Sequence, residues 1–497
     1  MTAPRLSIDV IVPERAARGW QKIVIQRLDA EGHDVAVLHD RAADAWPGTV
    51  NAILALERAL FRRRGTSLAA PSGPIPARSH ERSPALRLDL AGNTSPSPVP
   101  TITLRFAHAP FDLAVAQVVA GGDLPVIEAV LDGRTVVERA LPMIDRREAA
   151  SLGIEDVLAR AVTLLLSLVR AFAEDRLAPL PETSACNEEK PRFLAPYLSR
   201  ALPRLGREAL RRMHFHHAHW RVGYRFHDGP GVAETGRLGT NWKILPDTAG
   251  RFYADPFAFH WQGRPYLFVE DYVQAARKAV ISVVPFDDDG IAQTPRVVLE
   301  EPHHLSYPQV FERDGAIWML PEASAGGRLT LYRATDFPDR WRAEAVLLEG
   351  EISDATLLEH EGGLWLFATS RDGFGSTSDT LAVFQAPTLL GPWRAHTLNP
   401  ILIDRRRARP GGAFHRDAAG HLLLPVQDGT LGYGGGLGLS ELLALDGGTV
   451  RLGEPRPIIT EGDWPYPRIH TLNRSGSLEV IDGIAAVPKR SGRNSAS

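Results

Sequence analysis

The stretch FYADPFAFHWQGRPYLFVEDY (252–272) sets Asp255 at the start of one apolar run and Glu270 at the end of the next. Two carboxylates brought together can divide the labour of general acid–base chemistry, one accepting a proton and one donating it. The same letters also suit two strands joined by a turn, because Asp-Pro opens strands and a Glu solvates an exit. Repetition decides between these readings.

FAFHWQGRPYLFVE has four partners along the chain: QVFERDGAIWMLPE (309–322), TLLEHEGGLWLFAT (356–369), GAFHRDAAGHLLLPVQ (412–427) and HTLNRSGSLEVIDG (470–483). The apolar residues before the five turns, Phe259, Phe311, Leu358, Phe414 and Leu472, are spaced by 52, 47, 56 and 58 residues. A period near 50 with several short strands per unit predicts the blades of a propeller rather than coils of a solenoid. Hairpin geometry returns the second strand to the end where the first began. Asp255 therefore meets Glu270, Tyr307 meets Glu322, and Asp354 meets Thr369. Blade four, with a longer turn, offers Arg409, Pro410, Gln427 and Asp428, and blade five offers His470.

If these hairpins are the innermost pairs, their polar residues converge on one mouth of the central channel. Crowding carboxylates raises their pKa values and costs free energy, so folding alone does not account for the recurrence. The expected roles are Asp255 as base or hydroxyl acceptor, Asp354 as its electrostatic partner, and Glu322 and Glu270 as acid or hydroxyl ligands. Arg409 is expected to clamp an anionic group through its planar fork, with His470 as a donor. Tyr307, Gln427 and Asp428 join the binding residues, and Tyr253, Tyr307 and Tyr433 offer faces for stacking. The run LGYGGGLGL (431–439) lacks a following helix and reads as a close-packed inner strand rather than a phosphate loop. The histidines of HFHHAHW lack a nearby carboxylate or Cys to complete a metal set, and neither metal nor cofactor is expected.

The elements that must position these residues follow from the rest of the chain. Its 497 residues imply two or three domains, and 56 basic against 59 acidic side chains give a net charge of -3, which does not suggest nucleic acid or an anionic membrane as partner. The lone Cys186 excludes a disulfide framework, and no run has the length of a membrane span, so a soluble cytoplasmic protein is expected. LSIDVIV, the segment 20–31 and DVAVLHD read as strand, helix and strand, an α/β beginning. The Pro- and Ser-rich stretch 64–100 reads as a long irregular connection. After it, TITLRFAH, LAVAQVVA and PVIEAVLDG read as strands and IEDVLARAVTLLLSLVRAFAEDRL as an amphipathic helix. The organisation is an α/β domain over 1–190, a linker over 191–219, and an all-β five-bladed propeller over 220–490.

The motifs YADPF, LSYPQVFERDGAIWMLPEAS, SDATLL, RRRARPGGAF, VQDGTLGYGGGLGL and HTLNRSG resemble the propeller domain at the N-terminus of plant inositolphosphorylceramide glucosaminyltransferases. The resemblance covers roughly 215–485 and extends to bacterial proteins that join this domain to a formyltransferase-like region. It implies a formyltransferase-like fold for the first domain, degenerate because the Asn-x-His motif of formyl transfer is absent. More distantly, the chain resembles five-bladed glycoside hydrolases of the arabinanase and xylosidase clan. That resemblance makes Asp255 the match of the clan's base and Asp354 that of its pKa-modulating carboxylate. The clan's general-acid Glu has no counterpart, since blade four reads ARPGG.

Three functions follow: glycosyl transfer in surface-glycan or glycolipid assembly, glycoside hydrolysis with a displaced acid, and noncatalytic sugar binding or scaffolding. The first is preferred, with a sugar or nucleotide sugar as the partner held at the mouth.

Overall fold

The computed structural model describes residues 4–489 apart from 44, 64, 81, 93–96, 182–185, 188 and 217. The chain divides into two compact units, residues 1–209 with 374–376, and residues 210–373 with 377–497.

The first unit is built on a six-stranded sheet of strands β1 (Ser7–Pro13), β2 (Asp34–Asp40), β3 (Leu86–Asp89), β4 (Thr101–Phe106), β5 (Ile127–Leu131) and β6 (Thr135–Ala140), in the order β2-β1-β3-β4-β5-β6. The first four run parallel and β5 and β6 add an antiparallel edge. Ile8, Val10, Val12, Leu86, Leu88 and Ile102 are fully buried, as strands covered on both faces require. Helices α1 (Gly19–Ala30), α2 (Gly48–Leu60), α3 (Leu113–Gly121) and α4 (Ala150–Ala173) complete the unit. Trp20 is 1 % exposed, and its indole N–H donates to Asp112 Oδ2 at 3.1 Å.

Three expectations need correction here. LAVAQVVA forms helix α3, closed by Gly122 at φ 94°, because Val115, Ala116, Val119 and Ala120 are buried at helical spacing. The stretch 64–100 is irregular only in part, since it contains β3, the strand that joins β1 to β4. The supposed linker is helical over Leu202–His214. Of the histidine cluster, His217 lies outside the described residues, and His219 Nε2 pairs with Asp247 at 2.7 Å.

Strand order reverses about β1, and a cavity of about 330 Å³ opens at the carboxyl ends of the strands there, lined by Trp20, Gln21, Trp46, Asp89, Phe106 and Asp112 among others. This is where open α/β sheets place ligands.

The second unit is the five-bladed propeller. Its first three blades are consecutive antiparallel sheets: Arg251–Trp261, Arg264–Val273, Lys278–Pro285 and Arg296–Leu299; then Ser306–Arg313, Ala316–Glu322, Arg328–Asp336 and Arg340–Glu349; then Glu351–His360, Gly363–Arg371, Thr380–Ala386 and Arg394–Ala395, where Leu402–Ile403 adds a fifth strand beside Thr380–Ala386. Blade four is built on Leu422–Gln427 and Leu437–Leu445. Blade five takes Leu472–Ser475 and Leu478–Ala485 from the end of the unit and His219–Phe226 from its beginning, which closes the ring. The hairpins identified in the sequence are the first two strands of each blade. Three of their turns are two-residue loops with both central residues at positive φ: Gln262-Gly263, Asp314-Gly315 and Glu361-Gly362. Such turns match the right-handed twist of the strands.

The glycine run is a loop leading into Leu437–Leu445, not an inner strand. Gly434 sits at φ 63° where a Cβ would lie 2.2 Å from the Trp220 ring, and Gly412 at φ 148° where one would lie 2.0 Å from the Leu472 carbonyl oxygen. Gly412 thus lets blade four approach blade five backbone to backbone. Gly412→Ala is expected to destabilise the protein by about 2 kcal/mol or more, from backbone strain plus overlap with a neighbour that is itself backbone. Urea denaturation of the variant checks this.

Candidate functional site at the propeller mouth

The first strands of blades one, two and three share one irregularity. Ala254 pairs with Glu270 but the next pair is Phe257 with Phe268, so two residues face one, and the same shift occurs between Ser306 and Gln309 and between Ser353 and Thr356. These are β-bulges. The first bulged residues, Asp255, Tyr307 and Asp354, all have positive φ, at 45°, 46° and 49°. A bulky non-glycine residue in that region is strained, and three equivalent cases show that the fold imposes the conformation.

Asp255 is 4 % exposed, and its Oδ1 accepts from Thr471 Oγ1 at 2.9 Å while its N–H donates to Asp482 Oδ2 at 3.0 Å. His470 lies between two carboxylates, with Nδ1 2.7 Å from Asp482 Oδ1 and Nε2 3.3 Å from Asp255 Oδ1. Burial opposes its charge, but Asp482 and Asp255 outweigh burial and hold the imidazolium above the ordinary histidine pKa. Trp220 stacks on the ring at 3.8 Å between centroids. The three side chains Asp255, His470 and Asp482 also have the atoms of a metal site, with ligand atoms within 4.8 Å of one another. Both histidine nitrogens already face carboxylate oxygens, and an imidazolium satisfies that arrangement directly.

Glu270 is pushed well above the ordinary carboxylate range by burial first, then by Asp255, Glu322 and Asp482, and it hydrogen-bonds to Asp255. His304 Nε2 lies 3.4 Å from Glu270 Oε1, and burial lowers the pKa of His304. Both oxygens of Glu322 accept hydrogen bonds, from Ser306 Oγ at 3.1 Å, the Ser324 N–H at 3.1 Å and Ser353 Oγ at 3.4 Å.

Asp354, 1 % exposed, receives Arg409 in a two-pronged pair at 2.6 and 3.1 Å, and Gln427 Nε2 at 2.7 Å. Burial pushes its pKa up to about 6 against the pull of Arg409, which leaves it ionised at neutral pH. Arg409 is held above its ordinary value because Asp354 outweighs the cost of burial.

Asp255, Glu270, Glu322, Asp354, Arg409, Gln427 and His470 thus come together as the sequence implies, with three changes of role. Arg409 spends its fork on Asp354, and its remaining nitrogen donates to Ser378 Oγ at 3.1 Å, so it is a counterion and not a free anion clamp. Tyr307 is fully buried, its hydroxyl 2.8 Å from Thr356 Oγ1 and accepting from the Gly412 N–H at 2.6 Å, so it is a strut across three blades and not a ligand platform. Asp428 caps the turn after blade four's second strand, accepting from the Thr430 N–H. Tyr253 is also buried, whereas Tyr433 is 40 % exposed and lies 5.8 Å from the His470 ring. Sequence reasoning missed Asp482, Trp220 and His304. The hairpin rule would have found Asp482, ten residues after the Leu472 marker, had it allowed for a shorter return in blade five.

A family model described as glucosamine inositolphosphorylceramide transferase 1, N-terminal, matches residues 245–446. The chain is 36 % identical over 199 residues to glucosamine inositolphosphorylceramide transferase 1 of Arabidopsis thaliana, covering 39 % of this chain and 26 % of the plant protein. The corresponding protein of Oryza sativa subsp. japonica is 35 % identical over 188 residues, 37 % of this chain and 25 % of that one. The chain therefore spans about a quarter of the length of these relatives. Among solved structures, the catalytic domain of a GH62 α-L-arabinofuranosidase from Coprinopsis cinerea aligns with a TM-score of 0.36 at 15 % identity, over 49 % of this chain and 86 % of that one. An α-L-arabinanase from Cellvibrio cellulosa aligns at 0.31 and 18 %, over 48 % and 86 %.

Two outcomes follow from the charge arrangement. Arg409→Met leaves Asp354 buried without its cation and is expected to cost about 3–5 kcal/mol in urea denaturation, with much of the loss restored in the double variant with Asp354→Asn. The raised pKa values of His470 and Glu270 mean that the folded mouth holds more protons than the unfolded chain. Their stabilisation is complete below the unfolded pKa of each group and is lost as pH rises through the folded value. Stability should therefore fall as pH rises, from about pH 4.5 on account of Glu270 and from about pH 6.5 on account of His470, by at most roughly 1.4 kcal/mol per pH unit for each proton concerned. His470→Asn should flatten that slope.

Proposed function

We propose that the propeller mouth binds a sugar and that the protein takes part in glycosyl transfer in glycolipid or surface-glycan assembly. The observation that carries the reading is the pairing of Asp255 with Glu270, whose carboxyl burial and neighbouring carboxylates hold well above the ordinary range, backed by the Asp482–His470 couple, within the propeller whose residues 245–446 match the transferase N-terminal model.

A sugar hydroxyl both donates and accepts, so it is matched by one carboxylate and one carboxylic acid side by side. Asp255, its charge stabilised by His470, takes the proton of the acceptor hydroxyl as that oxygen bonds to the donor's anomeric carbon, while Glu270 gives its proton to the oxygen that leaves that carbon. The exposed ring of Tyr433 offers an apolar face beside them. Hydrolysis fits less well. Asp354 is committed to Arg409 and Gln427.

The test is a thermal-shift screen of the full chain against nucleotide sugars, monosaccharides and oligosaccharides, followed by a transfer assay with the sugar that binds. Glu270→Gln keeps the shape and hydrogen-bonding capacity of the side chain but has no acidic proton, so binding should persist while transfer falls about 100-fold or more, the share expected of a proton donor. Asp255→Asn should weaken both. Binding and turnover unchanged in both variants would remove the mouth from the reaction, and binding without transfer in the native protein would make it a sugar-binding module.

A further inference from the structure

The cavity of about 330 Å³ in the first unit is built differently from the nucleotide crevices that occupy the same place in other open α/β sheets. There a phosphate is held by the free N–H groups that open the helix after the first strand. In α1 those groups are already engaged. The Gly19 N–H donates to the Ala70 carbonyl and the Trp20 N–H to the Leu68 carbonyl, both at 2.9 Å, and a Cβ on Gly19 would lie 1.9 Å from the Ser67 carbonyl oxygen. The backbone of 67–70 thus covers the start of the helix and leaves no seat for a phosphate.

The cavity offers instead a buried carboxyl group among aromatic rings. Asp89 closes β3, is 3 % exposed and lines the cavity. Its Oδ1 accepts from the Ala91 and Gly92 N–H groups at 2.9 and 3.1 Å, while among the described residues no hydrogen bond reaches Oδ2 and no ion pair reaches either oxygen. Gly92, at φ 81°, sits where a Cβ would lie 2.3 Å from the Pro110 carbonyl oxygen, so the turn that orients Asp89 is fixed against the loop after β4. Burial pushes the Asp89 carboxyl above its ordinary pKa. Neighbouring cations are committed elsewhere: Arg87 pairs with Asp9 at 3.0 Å, and Arg18 lies 3.6 Å over the Trp46 ring, where Asp112 stabilises its charge. Lys190 also lines the cavity and forms no ion pair with Asp89. Trp20, Trp46, Phe106 and Phe111 supply the aromatic walls. The Trp46 indole N–H donates to Asp112 Oδ1 at 2.6 Å and that of Trp20 to Oδ2, so one carboxylate sets the orientation of both rings.

We propose that this cavity binds a small organic amine as its ammonium ion, with an N–H donating to Asp89 Oδ2 and the apolar body of the ligand against the rings. A buried carboxyl oxygen that lacks a donor is best matched by a charged N–H, and aromatic faces favour the same charge. An anion would meet both Asp89 and Asp112, and a neutral alcohol supplies the hydrogen bond without the charge. The residues concerned all belong to the first unit and none of the mouth residues takes part, so the site does not depend on the reading of the propeller.

The experiment is calorimetric titration of the full chain with phenethylamine, 2-phenylethanol and 3-phenylpropionate, probes that share one aromatic body and differ in charge. Phenethylamine should bind at least about tenfold more tightly than 2-phenylethanol, and 3-phenylpropionate more weakly than either. Asp89→Asn keeps an oxygen for the Ala91 and Gly92 N–H groups, and it should lower the affinity for the amine at least about tenfold while leaving that for the alcohol within about twofold. If that variant fails to fold, Phe111→Ala, at a half-buried position of the wall, should weaken the amine and the alcohol alike by about threefold or more. Equal affinity for the three probes, tighter binding of the carboxylate, or no binding of any probe at millimolar concentration would overturn the proposal. So would an affinity for the amine that neither variant alters.

Discussion

Charge compensation in a space almost without water governs the centre of this propeller. Asp255, Glu270, Glu322, Asp354 and Asp482 are each at most 9 % exposed. Five bare carboxylates there would oppose folding, because removing an ion from water costs several kcal/mol before any repulsion is counted. The fold answers in different ways at neighbouring points. Asp354 receives a full guanidinium fork, Asp255 and Asp482 share one imidazolium, Glu322 collects hydroxyl and backbone donors, and the pKa of Glu270 is driven up by burial and by its carboxylate neighbours. The result is a cluster in which chemically similar carboxyl groups sit in different electrostatic surroundings.

That compensation relies on backbone geometry. A regular strand alternates its faces, so a side chain that belongs at the axis cannot follow Phe252, Tyr253 and Ala254 in simple alternation; the bulge inserts the extra residue that turns Asp255 inward. Repeating the device at Tyr307 and Asp354 ties three blades to one register. The hydroxyl of Tyr307 then spans to Thr356 and Gly412, and Gly412 has no side chain because the Leu472 carbonyl occupies the place where one would go.

Much of this was legible in the sequence. Turn signals and a period near 50 gave five hairpins, and pairing rules put Asp255 opposite Glu270 and Tyr307 opposite Glu322, one residue beyond the observed partners Ala254 and Ser306. What the rules do not carry is side-chain orientation after a bulge, so Tyr307 and Asp354 look equivalent as letters although one braces the blades and the other needs a cation. A positive residue near a mouth reads as a clamp until its partner is known, as with Arg409. In the first unit, β3 escaped notice because four residues flanked by Pro and Ser give no period to detect, and α3 because an apolar helix covered on most sides differs little from a strand in composition.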